Sequence, residues 1–422
     1  MLNTILNTVK ELDIKDYVIN EVSSQSVELF FIKKELDMRR MCDTVEYRVN
    51  VFHDFELNGK KIRGSSLVTV HPGMSSDEVR SSLKSAYNAA SYVKNPAFEL
   101  YSGKKEDIVT MPSALSGMEL SAVAEVFAKA LFDADNRDDS FINSAEIFAK
   151  RTMVHTLTSA GSDVGYIKTS CTGEFIVQCR APKDVEQYHE FDYSQLTPDA
   201  LTEKAAEALS TVCDRAKALK SPAAGEYDIV LSGDNAATLF DLYGARASAS
   251  MVFAGYSDYA VGKKIQGENI TGEAYNISFI PSAPYSDDGI PMQERKFIEN
   301  GELKSLHGTT RFCRYLGIEP VGMYSAVRLD NGTVPFDEMK KGCLYPVSFS
   351  DFQMDEMDGH FKGEIRLAYY YGENGVELLT GGSINGSLLE RHGNVVFSTE
   401  RYNSASYDGP FAIKICGVTV AG

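Results

Sequence analysis

The chain has no tryptophan, no Cys-x-x-Cys, and no two histidines close enough to share one face of a helix. Each absence removes something. Aromatic packing falls entirely to 22 Tyr and 22 Phe. The seven cysteines, at 42, 171, 179, 213, 313, 343 and 416, are odd in number and widely scattered. That scatter argues against a disulfide framework and for a reducing, cytoplasmic setting. No apolar stretch approaches the ~18 residues a membrane span requires. The first residues, MLNTILNTVKELDIKDYVI, lack the basic start and apolar core of a signal peptide and read as an amphipathic helix. Positive charge is also short, with 42 Lys and Arg against 59 Asp and Glu, a net charge of −17. A nucleic-acid binder normally shows a basic face, because phosphate neutralisation supplies most of its affinity. The basic clusters here are Lys33-Lys34 with Arg39-Arg40, and Lys60-Lys61 with Arg63. They lie among strand-forming residues with acids nearby and read as solvated faces. Neither direct nucleic-acid contact nor a membrane partner is expected.

Familiar reaction centres are missing too. A catalytic zinc usually takes three protein ligands and keeps one open position. The histidines at 53, 71, 155, 189, 307, 360 and 392 show no such spacing. His189-Glu190 has no second histidine as far as Asp199 and reads as a surface pair. There is no Gly-x-Ser-x-Gly nucleophile elbow and no phosphate-binding loop. GGSINGS, Gly381–Ser387, follows a β-rich run outside any βαβ context and reads as a turn or bulge. DFQMDEMDGH, Asp351–His360, lacks calcium-loop spacing and reads as a solvated acidic loop. No cofactor is expected.

What is present is ordinary globular material: 43% hydrophobic residues over 422, enough for two or three domains. Strands are expected at Ser26–Lys33, Tyr47–Phe55 and Ser66–His71, the last two joined at Asn58-Gly59. Ser75 and Glu78 form a capping box for a helix whose stripe runs Val79, Leu83, Ala86, Tyr87, Ala90 and Val93. Residues 101–117 read as a linker, followed by a helix over Glu119–Asp133. Strands resume at Glu146–Thr156, Gly165–Thr169 and Glu174–Cys179. Thr197 and Pro198 start another helix with an apolar face from Leu201 to Leu219. After SPAAGEY, Ser221–Tyr227, glycine becomes frequent and turn signals recur at Asn300-Gly301, Asn331-Gly332 and Asn374-Gly375. The expectation is an α+β protein. Residues 1–100 and 101–222 are mixed α/β segments with hairpins and helices, packed together as one domain. Residues 223–422 form a predominantly antiparallel, barrel-like β domain.

Four strings lie in a telling order: YDIVLSGDNAATLFDLYGA from Tyr227, DDGIPMQERKFIENGELKS from Asp287, LTGGSINGSLLE from Leu379, and the terminal CGVTVAG. With SVELFFIKKELDMRR near the start, they resemble the TldD/PmbA family, once described as modulators of DNA gyrase. Catalytic members are cytosolic zinc proteases carrying His-Glu-x-x-x-His. Gly244 matches the glycine before the second histidine, which puts Phe240 at the first histidine, Asp241 at the glutamate and Ala245 at the second histidine. The third ligand, a cysteine, has no counterpart in Ser404–Gly409. The resemblance therefore implies a PmbA (TldE)-like member without zinc ligands, inactive alone. Such a member shapes the substrate cleft of a TldD/TldE-type protease beside a zinc-bearing TldD-like paralogue or a second copy of itself, with unfolded peptide as substrate. Asp288, Gly289, Gly381, Gly382 and Asn385 are the candidate cleft-loop residues. Two other readings stay open: a stand-alone homodimeric module that binds peptide or protein, and a hydrolase with non-metal chemistry.

Overall fold

The computed structural model describes residues 1–422. Its N-terminal half is built on one eight-stranded sheet. Asp16–Ile32 pairs antiparallel with Glu35–Leu57 on one side and with Ser140–Thr158 on the other. Lys60–Val70 extends the first flank, and Asp163–Cys179 with Val185–Tyr193 extends the second. Asn58 and Gly59 both have positive φ, so Leu57 and Lys60 close a two-residue hairpin.

Successive strand residues point to opposite faces. Ile19 packs into a cluster with Ile5, Val9, Val79 and Leu83 of the helices Leu2–Glu11 and Ser76–Ala90. Val27 and Leu29, an even number of residues along, pack with Phe127, Leu131, Leu201 and Leu209 of the helices Leu120–Asp133 and Pro198–Lys217. Both helix pairs therefore lie on one face of the sheet. The Ser75–Glu78 capping box forms as expected.

In the C-terminal half, Gly225–Ser232 runs parallel to Leu344–Met354 and antiparallel to Ala412–Ala421. Ser383–Ser387 and His360–Gly372 complete the circuit back to Leu344–Met354, closing a five-strand barrel. The whole is α+β, with the barrel inside the expected antiparallel region. A six-stranded sheet holds Ile277–Ile280, Arg295–Glu299, Ala326–Leu329 and Tyr407–Pro410. Ile229 and Leu231 of the barrel share one core with Phe279, Phe297 and Tyr407 of that sheet. The two halves of the chain meet through Lys204 Nζ on Asp234 (2.9 Å), the Tyr285 hydroxyl on Glu106 (2.7 Å) and Arg311 on Asn95 (2.8 Å).

Several local expectations need correction. The first strands are much longer than expected, because their polar outer stretches look like loop in sequence. Gly165–Thr169 and Glu174–Cys179 are one strand. Residues 101–117 are not a free linker: Val109–Thr110 pairs with Tyr166 and Ile167. Leu219 lies beyond its helix and is exposed, as is Val93, and Thr197 makes no side-chain cap. Asn331-Gly332 does not turn a hairpin, since Ala326–Leu329 instead runs parallel to Tyr407–Pro410. Asn300 and Gly301, both at positive φ, do turn one. His189, expected as one of a surface pair, is half-buried. It stacks on Phe175 (5.3 Å between rings), and its buried Nε2 has no partner.

Candidate functional site

The barrel strand Gly225–Ser232 ends at Gly233, whose φ of +55° lets the chain turn sharply into a helix. Two short helices follow, Gly233–Thr238 and Asp241–Arg246. At the break the bonding tightens to three-residue spacing, with Phe240 N on the Ala237 carbonyl (2.9 Å) and Tyr243 N on the Phe240 carbonyl (3.1 Å). The break turns Phe240 inward.

Phe240 is 2% exposed. Its ring sits 5.7 Å from Tyr407, 5.9 Å from Tyr275, and 6.0 Å from both Tyr243 and Phe397. Tyr407 belongs to Ser404–Gly409, the stretch matched to the family's third zinc ligand. The two positions are thus brought together, and each presents a ring. Behind them the Tyr243 hydroxyl lies 3.2 Å from His392 Nδ1 and 3.3 Å from the Tyr275 hydroxyl. Burial pulls His392 down to about 4, so its imidazole is neutral near pH 7. Ala245 is half-buried, and the Gly244 carbonyl beside it accepts from His307 Nε2 at 2.8 Å.

Asp241 points the other way and stays open to solvent. Crowding by protein, with the Glu356 charge second, pushes its carboxyl up to about 6. Glu356 comes from the turn joining Leu344–Met354 to His360–Gly372. Asp355 and Asp358 shape that turn by accepting from the backbone N–H groups of Met357 and His360 (2.8 and 2.9 Å). What reads as a solvated acidic loop is a barrel connection that walls a cavity of about 550 Å³, lined in part by Glu356, His360, Lys362 and Asn385. His360 and Asn385 also line a neighbouring cavity of about 220 Å³ with Glu390 and Arg391.

The other candidate residues fall elsewhere. Asp288 Oδ2 accepts from Thr310 N (2.8 Å), at the start of the helix Thr310–Tyr315. Gly289 lies against Ser162 of the N-terminal half, where a Cβ would come within 2.6 Å of the serine Cβ. Gly381 and Gly382 have positive φ where the chain enters Ser383–Ser387, and a Cβ on Gly382 would meet the Ala421 carbonyl at 2.2 Å. Of the cleft candidates, only Asn385 lines the cavity. His360 and Glu356 were missed because no local pattern ties them to Asn385.

A zinc site of the family's kind does not fit these side chains. A benzyl and a methyl group have no lone pair for a cation, and no three His, Cys, Asp or Glu side chains converge to hold one.

Residues 224–422 match the family model described as PmbA/TldA metallopeptidase C-terminal domain. No curated protein matches the chain in sequence. Among solved structures, the chain is similar to a modulator-of-DNA-gyrase relative from Thermotoga maritima. The TM-score is 0.78 at 16% identity, over 100% of this chain and 99% of that one. It is similar also to TldE from Thermococcus kodakarensis, with a TM-score of 0.76 at 16% identity over 99% and 100%. A further modulator-of-DNA-gyrase relative, from Bacteroides thetaiotaomicron, gives 0.77 at 15% identity over 100% and 98%. Identities this low speak for the fold alone. The match of residues 224–422 to the family model, together with a fold shared along the whole length, supports a place for the chain in the TldD/PmbA family.

Proposed function

We propose that the chain is the metal-free, TldE-like subunit of a cytoplasmic TldD/TldE-type metalloprotease, shaping the cleft that receives unfolded peptide while a zinc-bearing TldD-like paralogue performs the cleavage. The observation that carries this reading is the ring packing of Phe240 on Tyr407, at the two positions the resemblance assigns to metal ligands. A site that had merely lost its ligands would keep a polar hollow. Here the space is filled by Phe240, Tyr243, Tyr275, Phe397 and Tyr407. Such a core suits a structural role and no hydrolytic one.

The cavity walled by the Glu356 turn supports the second part of the reading. Its wall carries both signs of charge, from Glu356 and Lys362, and the amide of Asn385. Peptide backbone is matched by such mixed donors and acceptors without demanding a particular sequence. The test is co-expression with a zinc-bearing paralogue, purification of the pair, and a peptide-cleavage assay. The reading predicts a stable complex that cleaves faster than the paralogue alone. Equal rates with and without this chain would end it.

A further inference from the structure

We propose that the free edge of the N-terminal sheet, Glu35–Glu46, is where a second copy of this chain adds its own identical edge, antiparallel and centred on Met41. Strand Glu35–Leu57 is paired on its inner side from Glu35, opposite Ile32, to Phe52, opposite Asp16. On its outer side Lys60–Val70 covers only Tyr47 to Leu57. From Glu35 to Glu46 no strand, helix or loop hydrogen-bonds to the outer backbone groups. Proteins usually blunt such an edge with proline, short length or distortion, because a row of unpaired N–H and C=O groups recruits another strand. This edge has no proline, and its only irregularity, near Asp37, leaves Met38–Glu46 regular.

The side chains on this edge are unusually apolar for their exposure. Met41 is 74% exposed, Leu36 51% and Met38 43%, with Ile32 at 59% beside the turn. Adding a second strand would shelter them.

Self-pairing also selects its own register. A two-fold axis perpendicular to the sheet keeps each residue's face, so the axis must pass through a residue and its own mate. Centred on Met41, Arg39 of each copy faces Asp43 of the other, and Met41 meets Met41. Centred on Arg40, Arg40 would face itself and Asp37 would face Asp43. Centred on Cys42, Met41 would face Asp43 and the ion pairs would be lost. Like charges directly opposite are unfavourable in a ladder, and opposite charges are favourable. Of these three registers, all centred within the regular stretch Met38–Glu46, only the one on Met41 sets opposite charges across the ladder, which argues for a second copy over an unrelated partner.

The inference goes beyond the cleft-subunit reading and does not depend on it. A chain that stays monomeric could still serve a zinc-bearing partner. The test is sedimentation equilibrium of the full chain over a range of concentrations. Wild type, Arg39→Asp, Asp43→Arg and an equimolar mixture of the two variants are compared, with circular dichroism to confirm folding. Each single variant sets like charges opposite at two places, and its dimer dissociation constant should rise about tenfold or more. The mixture restores both ion pairs and should recover wild-type dimerisation as a mixed dimer. A wild-type chain that is monomeric throughout, single variants that dimerise as well as wild type, or a mixture that recovers nothing would each overturn the proposal.

Discussion

Replacing Phe240 by alanine tests whether the position that the resemblance matches to the first zinc-binding histidine is core. The side chain is 2% exposed and meets four rings at 5.7–6.0 Å. Truncating a buried phenylalanine costs ~3–5 kcal/mol, since the lost transfer energy is joined by the void left behind. Four tilted or edge-on ring partners place the expectation in the upper part of that range, as each such pair adds about 0.5–1.5 kcal/mol beyond area burial. With a urea slope of ~2 kcal/mol/M, the midpoint should fall by about 2 M. Far-UV circular dichroism is the suitable probe, because the chain has no tryptophan to report by fluorescence. Phe240→His should cost nearly as much, since an imidazole placed among rings gains no hydrogen-bond partner to offset its burial. A loss below ~1 kcal/mol for Phe240→Ala, or a Phe240→His variant as stable as wild type, would refute the reasoning.

Three further outcomes follow from the same geometry. His392 has its folded pKa lowered to about 4 from 6.5, so the unfolded chain binds the extra proton between those values. Stability from this group is full above pH 6.5 and is lost as pH falls toward 4, by up to ~3 kcal/mol; His392→Asn should flatten that part of a stability–pH curve. Asp241 shifts the other way, up to about 6, so its folded form loses ground as pH rises from about 4 to 6. Asp241→Asn should therefore raise the melting temperature at pH 8 more than at pH 4, and equal shifts at both would remove the crowding of this carboxylate, and the Glu356 repulsion with it, from the account. Gly382→Ala must fit a Cβ against the Ala421 carbonyl at positive φ and should cost at least ~2 kcal/mol in urea unfolding.

Local chemistry was the most legible part of this chain. Asn58-Gly59 and the Ser75–Glu78 box each act over a few residues, and each forms as its side chains dictate. Strand length was less legible. Glu35–Glu46 has little apolar alternation because almost nothing covers it, and its pairing rests on backbone bonds to Asp16–Ile32. The Asn331-Gly332 turn failed because the neighbour of Ala326–Leu329 is Tyr407–Pro410, far along the chain. The degenerate motif could be placed by resemblance, but not its contents. Phe240, Tyr275, Phe397 and Tyr407 come from separate elements and converge only in the folded core. The Glu356 charge reaches Asp241 for the same reason, so no local pattern could pair them.

The central claim is that aromatic rings stand where a zinc site of this family would need donors. The most direct measurement is zinc content of the purified full chain by atomic emission, at known protein concentration, after dialysis against zinc-containing buffer. Well under one equivalent is expected. One zinc per chain, lost on mild chelation and regained on addition of the ion, would contradict the account.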